Sequence, residues 1–122
     1  MVKVLVIDDE PAFRDSLRLL MPCEGFEVET AANAREAFDV AARFEPDVLV
    51  VDWMLKDHTD GLEVAESMRP GHPNLRVIVI TGYPTASLET RIRNTPATQF
   101  LTKPFTLSDL IDAIYAAVGP TR

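Results

Sequence analysis

Val48-Leu49-Val50-Val51-Asp52 reads as a buried strand with a charge at its exit. Four apolar residues in succession bury both faces of a strand, as in the centre of a parallel sheet. A carboxylate placed directly after such a run needs a partner. Three other runs end in the same way. Val4-Leu5-Val6-Ile7 leads into Asp8-Asp9, Val77-Ile78-Val79-Ile80 into Thr81-Gly82, and Phe100-Leu101-Thr102 into Lys103. Open parallel sheets bind ligands beyond the carboxyl ends of their strands, where strand order reverses. Side by side, these exits form one pocket with three carboxylates and an ammonium.

Working outward, apolar runs alternate with helical patterns. The runs cover residues 3–7, 26–30, 48–51, 77–80 and 99–101. The second alternates, with Phe26, Val28 and Thr30 set against Glu27 and Glu29, as an edge strand with one wet face does. Pro11 suits a first helical turn. Phe13, Leu17, Leu20 and Met21 then recur at helical spacing up to Gly25. Asn33 with Glu36 starts a second helix carrying Ala34, Ala37, Phe38, Ala41 and Phe44, and Pro46 bars its continuation. A short third helix spans 61–68 and a fourth 86–94. Thr106 and Asp109 cap a fifth, whose stripe is Leu107, Leu110, Ile111, Ile114 and Val118. Five strand–helix units predict an α/β fold with a doubly wound parallel sheet, helices on both faces. One domain is expected over 1–119, with 120–122 a tail or the start of a linker. The fourth helix is the weak element: only Leu88 and Ile92 are large and apolar, and a narrow stripe holds a helix loosely.

Bulk properties narrow the function. A chain of 122 residues, 47% hydrophobic and 25% charged, supports one globular core. Twelve basic and 19 acidic residues leave a net charge of −7, which does not steer a protein to nucleic acid. No apolar stretch reaches the length of a membrane helix. The first residues run straight into acids without a small-residue cleavage site, so no signal peptide is expected. The single Cys23 excludes an internal disulfide and fits a reducing, cytoplasmic setting. It is expected to be small and partly buried. His58 and His72 read as loop residues, and Trp53 as packing beside the pocket.

The pocket chemistry follows from its charges. Three clustered carboxylates raise one another's pKa, and a divalent cation relieves this. Hard carboxylate oxygens suit Mg²⁺, Mn²⁺ or Ca²⁺, few protein carboxylates with water and a phosphoryl oxygen favour Mg²⁺ over a caged Ca²⁺, and no Cys or His cluster offers a zinc site. A carboxylate can attack phosphorus to form an aspartyl phosphate. Asp52, on a central strand, suits that role, with Asp8 and Asp9 holding the metal. Lys103 can pair with a phosphoryl oxygen, and Thr81 can donate a hydroxyl to it. Each residue has a plain alternative when taken alone. Asp9 reads as a helix cap, Thr81-Gly82 as a turn, Lys103 as a solvated lysine.

The ordered set Val-Ile-Asp8-Asp9-Glu10, Val-Val-Asp52, Asp60-Gly61, Thr81-Gly82 and Lys103-Pro104-Phe105 resembles the receiver domain of two-component response regulators. The likeness runs from Lys3 to about Val118. It implies a flavodoxin-like (βα)5 fold with strand order 2-1-3-4-5. It implies that Asp52 takes a phosphoryl group from the phosphohistidine of a sensor histidine kinase or phosphotransfer protein, in an Mg²⁺-dependent reaction. Asp9 is then a direct Mg²⁺ ligand, Asp8 a ligand through water, and the backbone carbonyl of Met54 the third protein ligand. Thr81 and Lys103 bind the phosphoryl oxygens. Phe100 holds the place of the switch aromatic. The fourth helix, fifth strand and fifth helix form the face read by a downstream effector or fused output domain. No direct nucleic-acid or membrane contact by this chain is expected.

The chain departs from the family in two places. Lys56 stands where proline is usual, and the stretch from Asp52 to Gly61 is one residue longer. The segment 94–99 lacks the usual Gly-Ala step. The longer loop carries Lys56, Asp57, His58 and Asp60. A solvated tip is its plain reading and a rim over the acidic pocket the sharper one.

Two other functions compete with a phosphorylation-controlled switch. The first is an Mg²⁺-dependent phosphohydrolase using an aspartyl phosphate. Such enzymes commonly need a general acid two residues after the nucleophile, and Met54 cannot donate a proton. The second is a receiver-like protein-binding scaffold that is not phosphorylated, against which the complete set of pocket residues argues.

Overall fold

The computed structural model describes residues 1–56 and 59–119. Five parallel strands, β1 (Val2–Ile7), β2 (Phe26–Ala31), β3 (Val48–Asp52), β4 (Arg76–Thr81) and β5 (Thr98–Thr102), lie in the order β2-β1-β3-β4-β5. Between them run α1 (Pro11–Leu20), α2 (Ala34–Phe44), α3 (Gly61–Met68) and α4 (Ala86–Arg93), and α5 (Leu107–Val118) follows. The expected architecture is therefore observed. Each strand extends about one residue beyond its apolar run, which brings Asp52 and Thr81 into the ladder itself.

Side-chain alternation divides the core into two layers. Leu5, Ile7, Leu49, Val51, Val77 and Val79 face α2, α3 and α4, with Leu88 and Ile92 of α4 in the same cluster. Val4, Val6, Val48, Val50, Ile78 and Ile80 face the other way, onto Leu17 of α1 and Leu110 and Ile114 of α5. Both layers are dry, which is why these strands read as unbroken apolar runs. The edge strand β5 is only half-buried along most of its length, and its sequence signal is correspondingly short.

Chain direction sets the switch point. From β1 the chain passes to β2 on one side and then to β3 on the other, so the crevice opens above β1 and β3. Register aligns their exits: Ile7 pairs with Val51, Asp52 with Ile80, and Thr81 with Thr102.

The helix starts follow from local chemistry. Asn33 accepts the Glu36 N–H at 2.9 Å, and Glu36 reaches back to the Ala32 N–H at 3.0 Å. Thr106 and Asp109 form a reciprocal capping box on α5. Two expectations differ from the structure. Leu20 is 44% exposed, because the chain tightens into a 3-10 turn over Met21–Glu24 that buries Met21 instead. Cys23 lies on that turn and is exposed rather than partly buried.

Candidate functional site

Asp8, Asp9 and Asp52 meet at the switch point. One carboxylate oxygen of each lies within 4.8 Å of the others. Asp8 is almost fully buried (2% exposed). Its Oδ1 accepts the Glu10 N–H at 2.9 Å, and its main-chain oxygen accepts from Arg14 Nη1 at 2.7 Å. Burial pushes the Asp8 carboxyl above its ordinary range, the Glu10 N–H pulls it back, and the neighbouring charge of Asp52 pushes it further up. Lys103 opposes and Asp9 adds to the rise.

Asp9 is not the helix cap. Glu10 occupies that position and makes no side-chain capping bond. The Asp9 carboxylate instead accepts the backbone N–H of Lys56. A proline there would have no N–H to donate, so this contact needs a residue other than proline at position 56. The start of the loop therefore does reach the rim of the acidic site. Lys56 also lines a neighbouring hollow with Asp9, Asn33 and Arg35. Asp57 and His58 fall outside the described residues.

Asp52 ends β3 with its side chain 18% exposed. Lys103, just past β5, holds its Nζ at 3.5 Å from Asp52 Oδ2. The Lys103 N–H donates to the Thr81 main-chain oxygen at 2.8 Å, which ties the lysine's backbone to the end of β4. Thr81 is buried (3% exposed), and its Oγ1 accepts the Tyr83 N–H at 3.1 Å. Phe100 pairs in register with Val79, two residues before Thr81, so Phe100 and Thr81 share the α4 face of the sheet. The Phe100 ring packs against the core layer that contains Leu88 and Ile92.

Met54 belongs to a short return of the chain. The Gly61 N–H donates to the Trp53 oxygen at 2.8 Å and the Leu55 N–H to the Thr59 oxygen at 3.0 Å. These two bonds flank an antiparallel bridge between Met54 and Asp60. Met54 is thus the non-bonded member of the pair, and its carbonyl is not used by the bridge. Gly61 is required here. A Cβ at this position lies 2.2 Å from the Asp52 main-chain oxygen.

The structure thus gathers Asp8, Asp9, Asp52 and Lys103 around a cleft of about 390 Å³. Thr81 lies at the end of the adjacent strand. The sequence did not signal the apolar wall, in which Phe13, Pro104 and Phe105 line the same cleft. Phe13 and Phe105 meet edge to face at 6.0 Å, across a separation no local pattern reports. Nor did it signal Arg91 of α4, whose Nη1 lies 2.8 Å from Asp60 Oδ2.

Fold and site together define a doubly wound α/β domain with an acidic, lysine-flanked cleft at its switch point. The sequence matches the model of the response regulator receiver domain over residues 4–115. It is 36% identical over 120 residues to the response regulator MprA of Mycolicibacterium vanbaalenii, covering 98% of this chain and 52% of that protein. It is also 36% identical over 121 residues to MprA of Mycobacterium tuberculosis, covering 99% and 52%. The chain spans about half the length of these relatives. Among solved structures, the chemotaxis protein CheY4 of Vibrio cholerae superposes with a TM-score of 0.87 at 27% identity, over 96% of this chain and 98% of that one. A response regulator receiver domain protein from Clostridium thermocellum gives 0.85 at 28%, over 97% and 94%. The chain belongs to the response regulator receiver domain family. It is a signalling module of two-component systems. No helix among the described residues is long and apolar enough to cross a membrane.

Proposed function

We propose that Asp52 is the phosphoryl acceptor of this receiver, with the phosphohistidine of a sensor histidine kinase or phosphotransfer protein as donor. The observation that carries this reading is the convergence of three carboxylates on one cleft, with the Lys103 ammonium 3.5 Å from the one on the central strand. An Asp52 carboxylate oxygen forms the new P–O bond. The P–N bond to the histidine breaks, and its electron pair returns to the imidazole ring. Lys103 pairs with a phosphoryl oxygen as a point charge. The Thr81 hydroxyl, whose oxygen accepts the Tyr83 N–H and whose hydrogen is left to donate, binds another.

The donor set fits Mg²⁺. Three hard carboxylates stand close enough to share one ion, and a divalent cation would offset the mutual repulsion that adds to burial in raising the Asp8 pKa. Asp9 and Asp52 with the Met54 carbonyl are the direct protein ligands in this reading, and Asp8 acts through water. When bound, the cation neutralises negative charge that gathers as a phosphate approaches three carboxylates. Self-catalysed phosphorylation and dephosphorylation are the only chemistry proposed. An independent phosphohydrolase lacks a proton donor at Met54, a residue that is 48% exposed.

Thr81 and Phe100 form the switch in this proposal, since they share the face that packs on α4. The α4-β5-α5 surface then addresses an effector or a fused output domain, and the doubled length of the MprA relatives supports the fused form. The net charge of −7 supports output through protein rather than through nucleic-acid contact by this chain. The free, exposed Cys23 suits a reducing cytoplasm. The test is incubation with a small acyl phosphate, with Mg²⁺ or with chelator. A hydroxylamine-labile phosphoryl group forming only with Mg²⁺ is expected. Equal labelling in chelator contradicts the metal requirement, and no labelling contradicts the acceptor role.

A further inference from the structure

Arg91 stands on α4, yet its guanidinium meets both ends of the loop that leaves the acceptor strand. Nη1 lies 2.8 Å from Asp60 Oδ2, at the end of the loop. The guanidinium carbon lies 5.2 Å from the centre of the Trp53 ring, at its start. The ion pair is partly shielded, with Asp60 18% and Arg91 39% exposed. Asp60 has a second task. Its Oδ1 accepts the Leu62 N–H at 2.8 Å and the Glu63 N–H at 3.3 Å, capping α3. Between these anchor points the backbone bonds of Trp53 to Gly61 and Leu55 to Thr59 bring the two ends of the loop together. From α4 itself, only Leu88 and Ile92 are buried. Beside these two apolar anchors, Arg91 ties the helix to both ends of the loop.

We infer that Arg91 is a positioning residue that couples the docking of α4 to the loop bearing the Met54 carbonyl. This rests on the reading that the loop supplies a metal ligand. Its physical basis is preorganisation. A guanidinium stacked on Trp53 and paired with Asp60 restricts the loop before a cation arrives, so less order is lost on binding. Linkage then works both ways: Mg²⁺ in the cleft steadies α4, and a partner that fixes α4 tightens Mg²⁺ by the same factor. The coupling runs through side chains of α4, Trp53 and Asp60. Its contacts are distinct from that of Phe100 with the α4 layer, and it operates before any phosphate is present.

The test compares wild type, Arg91→Met and Asp60→Asn in two measurements. Mg²⁺ affinity is read by calorimetry, and the response of α4 to Mg²⁺ by amide hydrogen exchange. Asparagine caps a helix about as well as aspartate, so Asp60→Asn removes the ion pair and spares α3. Loss of a partly exposed pair plus one cation–π contact corresponds to an affinity loss of about fivefold in Arg91→Met, and loss of the pair alone to a smaller one in Asp60→Asn. The double variant should lose no more than Arg91→Met. Mg²⁺ should slow exchange in α4 of wild type and leave the variants nearly unchanged. If wild type binds Mg²⁺ and both variants bind it equally well with the same α4 response, the coupling is overturned and the metal site stands. If wild type binds no Mg²⁺, the metal site falls and the coupling with it.

Discussion

Gly61→Ala tests how closely the acceptor strand and α3 are joined. The new methyl would lie 2.2 Å from the Asp52 main-chain oxygen and 3.0 Å from Val51 Cγ2. The first distance is more than about 1 Å inside ordinary contact, and the atom it meets is backbone that no rotamer change can move. Overpacking of this kind costs up to about 3 kcal/mol, and alanine recovers about 1 kcal/mol of helix propensity at most. The net loss is about 2 kcal/mol. With an unfolding entropy of about 2.1 cal/mol/K per residue, a chain of 122 residues loses about 8 °C in Tm. Relief can come only by shifting α3 outward or the end of β3 inward. The second displaces the Asp52 carboxylate, so Mg²⁺ affinity should fall together with stability. Thermal melting by circular dichroism reads the first effect and calorimetric Mg²⁺ titration the second. Gly71→Ala is the control, since nothing lies within 4 Å of its added methyl. A Tm for Gly61→Ala no lower than that of the control would refute the reasoning.

Two further outcomes follow from the charges of the cleft. Asp8 has its pKa raised from 3.8 by burial, so the folded state binds a proton more tightly than the unfolded chain. Stability of the metal-free protein therefore falls as pH rises from 3.8 through the raised value. Asp8→Asn keeps an acceptor for the Glu10 N–H and should raise Tm at pH 7 without metal while weakening Mg²⁺ binding; a lower Tm at pH 7 contradicts the assignment. Lys103→Ala should still accept some phosphate but lose much of the phosphate-dependent shift in NMR spectra of α4 and α5, because the link between phosphate and β5 is gone; undiminished shifts count against that link.

Burial geometry decided what could be read from the sequence. Strands β1, β3 and β4 are dry on both faces and therefore appear as unbroken apolar runs. β5 is half-exposed at the edge, and only its three central residues stood out. The acids at the strand exits were legible because charge rarely follows four apolar residues without a use. Their individual environments were not. Asp8 and Asp9 are adjacent, yet one is buried against Glu10 and the other turned to the Lys56 N–H, a contact 47 residues distant along the chain. Asp9 looked like a cap because it precedes a helix by two residues; Glu10 takes that position instead. Arg91 was illegible for the same reason. Its partners Trp53 and Asp60 lie on another element, and arginine near the end of a helix is an ordinary surface choice.

Asp52 as carrier of the phosphoryl group is open to one direct measurement. Wild type and Asp52→Asn, each treated with a small acyl phosphate and Mg²⁺, are compared by intact mass. Wild type should gain one phosphoryl group and the variant none. The same adduct on Asp52→Asn would show that another residue is the acceptor.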